Sequence, residues 1–269
     1  MDFSWTEEQL SFKQKVIDFA RDNLATDVAD RDRGSQFSQE EWQRCADFGI
    51  QSLSVPSDYS GRDDVDFMTA MLAMEGLGYG CRDNGLALAL NTQMWTVQLP
   101  IVVFGSDQQK EKYLRPMSAG TMIGAHAITE EESGSDAFSL KMTATPCDGG
   151  YLLNGLKKYI TLGPIADVAL VFANVDPDKG RWGITAFLVD RNSAGFSSSP
   201  VREKMGLRTV PIGELEFKDC FVPEENRLGE EGAGVSLSHS SLEWERCCIL
   251  ASQLGAMAVS YTHLTLPTN

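Results

Sequence analysis

Near residue 122 the apolar residues change from a helical spacing to a two-residue spacing, and after Gly232 they change back. In the first stretch, Leu10, Val16, Ile17, Ala20 and Leu24 form one helical stripe, and Trp42, Cys45, Ala46 and Gly49 form another. Ser4-Trp-Thr-Glu7 and Ser38-Gln-Glu-Glu41 read as capping boxes in front of them. Val55 to Gly61 is a turn-rich break. Helical spacing resumes from Phe67 to Leu77, with Gly78-Tyr-Gly80 predicted to stop it, and Ser106-Asp-Gln-Gln109 opens a further helix. Beyond residue 122, Leu140 to Thr145 alternates and Cys147-Asp-Gly-Gly150 is hairpin-like. Val168 to Val175, Ile184 to Val189 and Glu214 to Phe217 are strand candidates between turn clusters. The pattern predicts an α+β chain in three parts. These are an N-terminal all-α domain over 1–121, a small β-barrel or sandwich over 122–230, and the start of a C-terminal helical domain over 231–269.

Charge narrows the partners. With 38 acidic against 23 basic residues, the net charge of −15 argues against nucleic acid and against an anionic membrane surface. A negatively charged ligand would need basic residues placed locally. Six cysteines stand without a C-x-x-C pair, and three histidines without ligand spacing, so reduced core thiols and no metal site are expected. The acidic N-terminus lacks an apolar signal core, and no run of apolar residues approaches the ~18 a spanning helix needs. A soluble cytoplasmic protein is the expectation.

The chemistry-bearing stretch is His126-Ala-Ile-Thr-Glu-Glu-Glu-Ser-Gly-Ser-Asp136, followed by Lys158-Tyr-Ile-Thr161. Small and hydroxyl residues (Thr129, Ser133, Gly134, Ser135) behind the apolar Ala127-Ile128 let backbone amides and short hydroxyls approach a flat, polar-edged ligand. Tyr159 adds an aromatic face and Thr161 a further hydroxyl. Read bare, the same residues also suit a simple turn before a strand.

Ile-Thr-Glu-x-x-x-Gly-Ser-Asp followed by Asn-Gly-x-Lys-x-Tyr-Ile-Thr resembles the flavin-binding signature of the acyl-CoA dehydrogenase family. Glu131 stands where that family usually has proline, and Tyr159 where it has the tryptophan that flanks the flavin. Phe104-Gly-Ser-Asp-Gln-Gln-Lys-x-Lys-Tyr-Leu114, Lys204-Met-Gly-Leu-Arg208, Val222-Pro-x-Glu-Asn226 and Gly232-Ala-Gly234 extend the resemblance to about residue 257. It implies FAD as cofactor, with His126, Ala127, Ile128, Thr129, Gly134, Ser135, Tyr159, Ile160 and Thr161 as its contacts. It also implies α,β-desaturation of an acyl-CoA thioester and electron delivery to an electron-transfer flavoprotein. A homo-oligomer, dimer or tetramer, is implied for the full-length protein.

Desaturation needs a base for the α-proton, a hydride acceptor and polarisation of the thioester carbonyl. Glu245 is the candidate base: on a helix it shares a face with Leu242, Cys248, Ile249 and Ser252, an apolar setting unusual for a carboxylate. The pattern equally allows a rim position with the carboxylate in solvent. Leu242-Glu-Trp-Glu-Arg246 is similar to the Leu-x-x-Glu-Arg of the family's isovaleryl-type and long-chain branches, which implies the base role. By the same resemblance Arg246 and Ser135 contact substrate. Glu243 is a substrate neighbour or else the partner of Arg246 in a surface ion pair, and Arg208 could equally pair within the β domain.

After Met257 the sequence Val259-Ser-Tyr-Thr-His-Leu-Thr-Leu-Pro-Thr-Asn269 brings β-favouring and helix-breaking residues in quick succession. The expectation is a fragment whose last twelve residues are not native sequence. The family's remaining bundle, which carries an Arg-x-x-x-Gly segment toward the flavin diphosphate and in some branches the base, would follow. Two alternatives stand beside the dehydrogenase reading. One is a flavin-dependent oxidase or monooxygenase of the same fold acting on a non-CoA or carrier-protein-bound substrate; the other is a flavin-free, non-catalytic fragment.

Overall fold

The computed structural model describes residues 4–24 and 26–264. Seven α-helices come first: α1 (Glu7–Asn23), α2 (Val28–Arg33), α3 (Gln39–Phe48), α4 (Phe67–Gly80), α5 (Asn84–Thr92), α6 (Leu99–Phe104) and α7 (Asp107–Ser118). A π-helical segment, Gln93–Gln98, joins α5 to α6 without a break. Eight strands follow: β1 (Gly124–Ala127), β2 (Thr143–Cys147), β3 (Gly150–Thr161), β4 (Val168–Asn174), β5 (Ile184–Asp190), β6 (Phe196–Ser198), β7 (Ile212–Pro223) and β8 (Arg227–Leu228). Then come α8 (Gly234–Cys248) and α9 (Ala251–Leu264).

The strands make one mostly antiparallel sheet in the order β6-β7-β3-β2-β4-β5-β8, with β1 added in parallel to β4. Strands β4 and β5 are buried on both faces. One face of β4 carries Leu170 and Phe172 against Ile101, Tyr113 and Leu114 of the helical layer; the other carries Ala169 and Val171 among Ala125, Ile160 and Phe187. The loop before β7 is fastened to the N-terminal helices by charge. Arg31 bridges the buried carboxylates of Glu41 and Asp83 at 2.7 and 2.6 Å, and the Thr209 hydroxyl donates to Asp83 at 2.6 Å. Arg208 pairs with Asp32 of α2 at 2.8 Å, so its partner lies across the helix–sheet junction and not within the β domain.

Several local expectations change. Helix α1 is capped by Thr6 with Gln9 in a reciprocal box, two residues later than Ser4 and Glu7 would place it. Ser38 does cap α3, while the Glu41 carboxylate accepts from Arg31 and Thr26. Helix α4 runs through Gly78 and Gly80 because packing requires glycine there. A side chain at Gly78 would overlap the Ser252 carbonyl, and one at Gly80 the Ile17 carbonyl. Leu140 to Met142 precede β2 instead of belonging to it, and β1 was not foreseen, being too short to show alternation.

The C-terminal run stays helical to Leu264, past the predicted end near Met257, after a break at Ile249–Leu250. Once Ala251, Ser252 and Gly255 are seated on α4, extension costs only a few tenths of a kcal/mol per β-branched residue. As helices, Asn84–Phe104 and Gly234–Leu264 are long and apolar enough to span a membrane, contrary to the reading of the bare sequence. Burial of 78% of the first one's apolar window marks it as a core helix, whereas 22% of the second's is buried.

Candidate active site

The loop after β1 is built around a buried ion pair. Lys157 Nζ lies 2.7 Å from Glu130 Oε1 and donates to the Ile128 carbonyl at 3.0 Å. Glu130 in turn accepts from the amides of Lys141 and Met142 at 2.6 and 3.1 Å. Desolvation lowers the Lys157 pKa to about 8 although Glu130 favours its charge. Both residues sit inside the quoted motifs, yet sequence reasoning gave them no role. The available signal was a lysine at an inward-facing strand position, two residues from Gly155 and four from buried Leu153.

Strand β3 bulges just beyond this lysine. Lys157 faces Leu215 of β7, but Ile160 faces Gly213, so β3 carries one extra residue. The bulge puts Tyr159 at φ 60° and turns its ring outward, 52% exposed, while Lys157 and Ile160 both point into the core. The Arg202 guanidinium lies 4.9 Å from the Tyr159 ring centre. The Lys158 amide donates to the Thr129 carbonyl at 2.9 Å, and its ammonium pairs with Glu131, the residue at the family's proline position.

The remaining candidates fall around this frame. Ala127 is buried, Ile128, Thr129 and Thr161 are half-buried, and Gly134 and Ser135 are exposed. Among the described residues, no hydrogen bond engages the hydroxyls of Thr129, Ser135 or Thr161. A side chain at Gly134 would meet nothing within 4 Å, so protein packing does not demand glycine there. His126 packs on Phe172 at 5.3 Å, and burial, with the nearby Lys157 charge, lowers its pKa to about 4. Its Nε2 is enclosed without a partner, so a ligand would meet other atoms of the ring. An outward aromatic, free hydroxyls and an unobstructed small-residue loop fit a flat ring with polar edges. These residues fit FAD.

Helix α8 supplies the carboxylate. Phe138, at the end of the loop, meets His239 of α8 edge-on at 5.1 Å. Glu245 lies six residues further along, roughly 9 Å down the helix axis at about 1.5 Å per residue. It is half-buried; of the residues expected on its face, Cys248 and Ser252 are buried and Leu242 and Ile249 half-buried, but Ile249 and Ser252 lie at and beyond the break that ends α8. Desolvation raises its pKa, and exposed Arg246 only partly offsets this. Glu243 is exposed, and among the described residues no ion pair joins it to Arg246. Trp244 instead turns to Phe67 at 4.6 Å and lines an apolar recess of about 370 Å³ with Trp95, Leu99 and Val102. Ser252 accepts from Asn91 of α5 at 3.1 Å, tying α9 to the long core helix.

A helical layer, a sheet with an open hydroxyl-lined loop, and a returning helix with a desolvated carboxylate together define a flavoprotein oxidoreductase. Two family models match, the acyl-CoA dehydrogenase N-terminal domain over residues 6–121 and its middle domain over residues 125–220. The chain belongs to the acyl-CoA dehydrogenase family, whose members are FAD-dependent oxidoreductases, as the FAD complexes of the similar protein PigA show. It is 37% identical to an L-prolyl-[peptidyl-carrier protein] dehydrogenase of Pseudomonas fluorescens, over 96% of this chain and 67% of that protein. It is 38% identical to the mitochondrial isovaleryl-CoA dehydrogenase of Oryza sativa subsp. japonica, over 95% of this chain and 62% of that one. The crystal structure of the prolyl acyl carrier protein oxidase AnaB superposes with a TM-score of 0.93 at 42% identity, covering 95% of this chain and 67% of that one.

Proposed function

We propose that this chain carries the cofactor loop and the catalytic base of an enzyme that desaturates an acyl thioester between its α- and β-carbons. The observation that carries this reading is Glu245, a half-buried carboxylate near the end of α8 whose pKa is raised by desolvation. Such a group is a stronger base than a solvated carboxylate and takes the weakly acidic proton next to a thioester carbonyl. Arg246 stays exposed beside it and is placed to hold the thioester's polar end. Thr129, Ser135 and Thr161 offer hydroxyls to the rim of the flavin, Ile128 excludes water, and the outward Tyr159 covers one face of the ring, whereas the Ile160 side chain belongs to the core and not to the ligand side. FAD when bound supplies the acceptor for the hydride from the β-carbon. An electron-transfer flavoprotein would accept the electrons next.

A second reading concerns the carrier of the acyl group. The similarity to carrier-protein dehydrogenases and to AnaB favours a carrier-bound thioester over a free CoA thioester. Local charge agrees: Lys157 and Lys158, the two lysines bonded to the loop, are already paired with Glu130 and Glu131. One experiment tests both readings. The FAD-loaded protein is mixed anaerobically with isovaleryl-CoA, and separately with a prolyl thioester on a carrier protein, while the visible flavin band is followed. Bleaching by either supports desaturation, and comparison of the prolyl carrier-protein thioester with prolyl-CoA identifies the carrier. Bleaching by neither, with FAD bound, refutes it. Oxygen uptake without an added acceptor would move the assignment to an oxidase.

A further inference from the structure

We propose that Lys157 and Glu130 are positioning residues for the cofactor, forming a buried strut that sets the loop 128–136 at a fixed distance from strand β3. The proposal rests on the reading of that loop as the flavin cradle. One lysine and one carboxylate tie together three segments far apart in sequence. Lys157 Nζ reaches the Ile128 carbonyl and Glu130 Oε1, and Glu130 reaches the Lys141 and Met142 amides. Thr129 lies between the two points that Lys157 grips. Its own carbonyl is held from the same strand by the Lys158 amide at 2.9 Å. Three bonds from β3 therefore hold the loop on both sides of a residue whose hydroxyl has no partner among the described residues.

The strand end of the strut is fixed equally. Lys157 is fully buried, and the bulge that follows it is what turns Tyr159 outward. Thr129 and Tyr159 are thus carried by opposite ends of one ion pair.

Stability alone does not explain this arrangement. A buried ion pair must offset a large desolvation cost, and apolar residues of similar volume often serve a fold as well. What an ion pair with two extra amide donors provides is a single permitted geometry, the requirement for holding a cofactor within roughly 0.5 Å. His126 also lies near the strut, and its proton is disfavoured by burial and by the Lys157 charge.

The test uses the whole chain as wild type, Glu130→Gln and Lys157→Met. Three quantities are read: FAD affinity by flavin fluorescence, the visible band of bound flavin, and amide hydrogen exchange of the FAD-free proteins. Glu130→Gln keeps the shape and one acceptor oxygen but removes the charge. It is expected to raise the FAD dissociation constant at least about 10-fold. The flavin band should shift, and exchange should quicken over 129–142 and at Lys158 while β4 and β5 keep their protection. Unchanged affinity and an unchanged band would overturn the proposal. So would loss of the whole fold in both variants, which would make the pair a stability element. Should the wild type itself bind no FAD, the cradle reading fails first and the strut's role with it.

Discussion

Lys157 Nζ and Glu130 Oε1 stand 2.7 Å apart with the lysine side chain fully buried and the carboxylate 7% exposed. Losing one partner of such a pair strands a charge in the interior, at a cost of about 3–5 kcal/mol. Lys157→Met is therefore expected to lower the urea midpoint strongly. The double variant Glu130→Met/Lys157→Met should recover part of that loss but not all, because the Lys141 and Met142 amides stay without their acceptor. Equal destabilisation by the single and double variants would show that the stranded charge is not the cause.

Replacing Glu245 by Gln removes the proposed base without removing bulk. Turnover is expected to fall at least about 10³-fold while FAD stays bound, and retained turnover would refute the role. The pH dependence has a definite sign. The folded pKa is raised above the ordinary 4.5, so between these two values the folded chain holds a proton that the unfolded chain has released. Stability from this group is present at low pH and declines as pH rises through that window. Activity runs the opposite way, rising as Glu245 ionises. A stability profile and a rate profile on wild type and Glu245→Gln check both slopes.

His126 has the opposite linkage. Its pKa is lowered to about 4 from 6.5, so on acidification the unfolded chain takes up a proton that the folded chain refuses. Its contribution is complete above pH 6.5 and is lost as pH falls toward 4. His126→Phe should flatten the unfolding midpoint across that window, measured by denaturant titration at a series of pH values.

Helix α9 meets α4 through glycine. Side chains at Gly78 and Gly255 would overlap the backbone of Ser252 and of Glu75 respectively. Gly78→Ala is expected to destabilise by about 1–3 kcal/mol through forced separation of the helices. Gly49→Ala gives the comparison: nothing crowds that site, so its cost is confined to the backbone at φ 95°. Thermal melting of the two variants separates crowding from backbone strain.

Much of the architecture was legible in the sequence because it follows from local periodicity. The stripes of α1 and α3, the Ser106 cap, the hairpin at Asp148-Gly149 and strands β4 and β5 are each specified by residues within one turn or one strand of each other. The family was legible too, through the small residues and the aromatic of the candidate cofactor loop and their resemblance to its signature. Glu245 stood out as a carboxylate on an apolar helix face, and burial on that face is what raises its pKa.

What the sequence by itself determined was the order of helices, strands and helices, and the residue types offered to a ligand. Only the tertiary structure decided where those residues point. Glycines that read as stops became helix–helix contacts, Gly78 against α9 and Gly80 against α1. Arg208 found its partner across the helix–sheet junction. Lys157, one of two adjacent lysines in the sequence, was turned inward onto Glu130 by the register of β3 against β7. Periodicity is a property of neighbours along the chain, whereas the direction and partner of a charged side chain depend on segments that folding brings together from far apart.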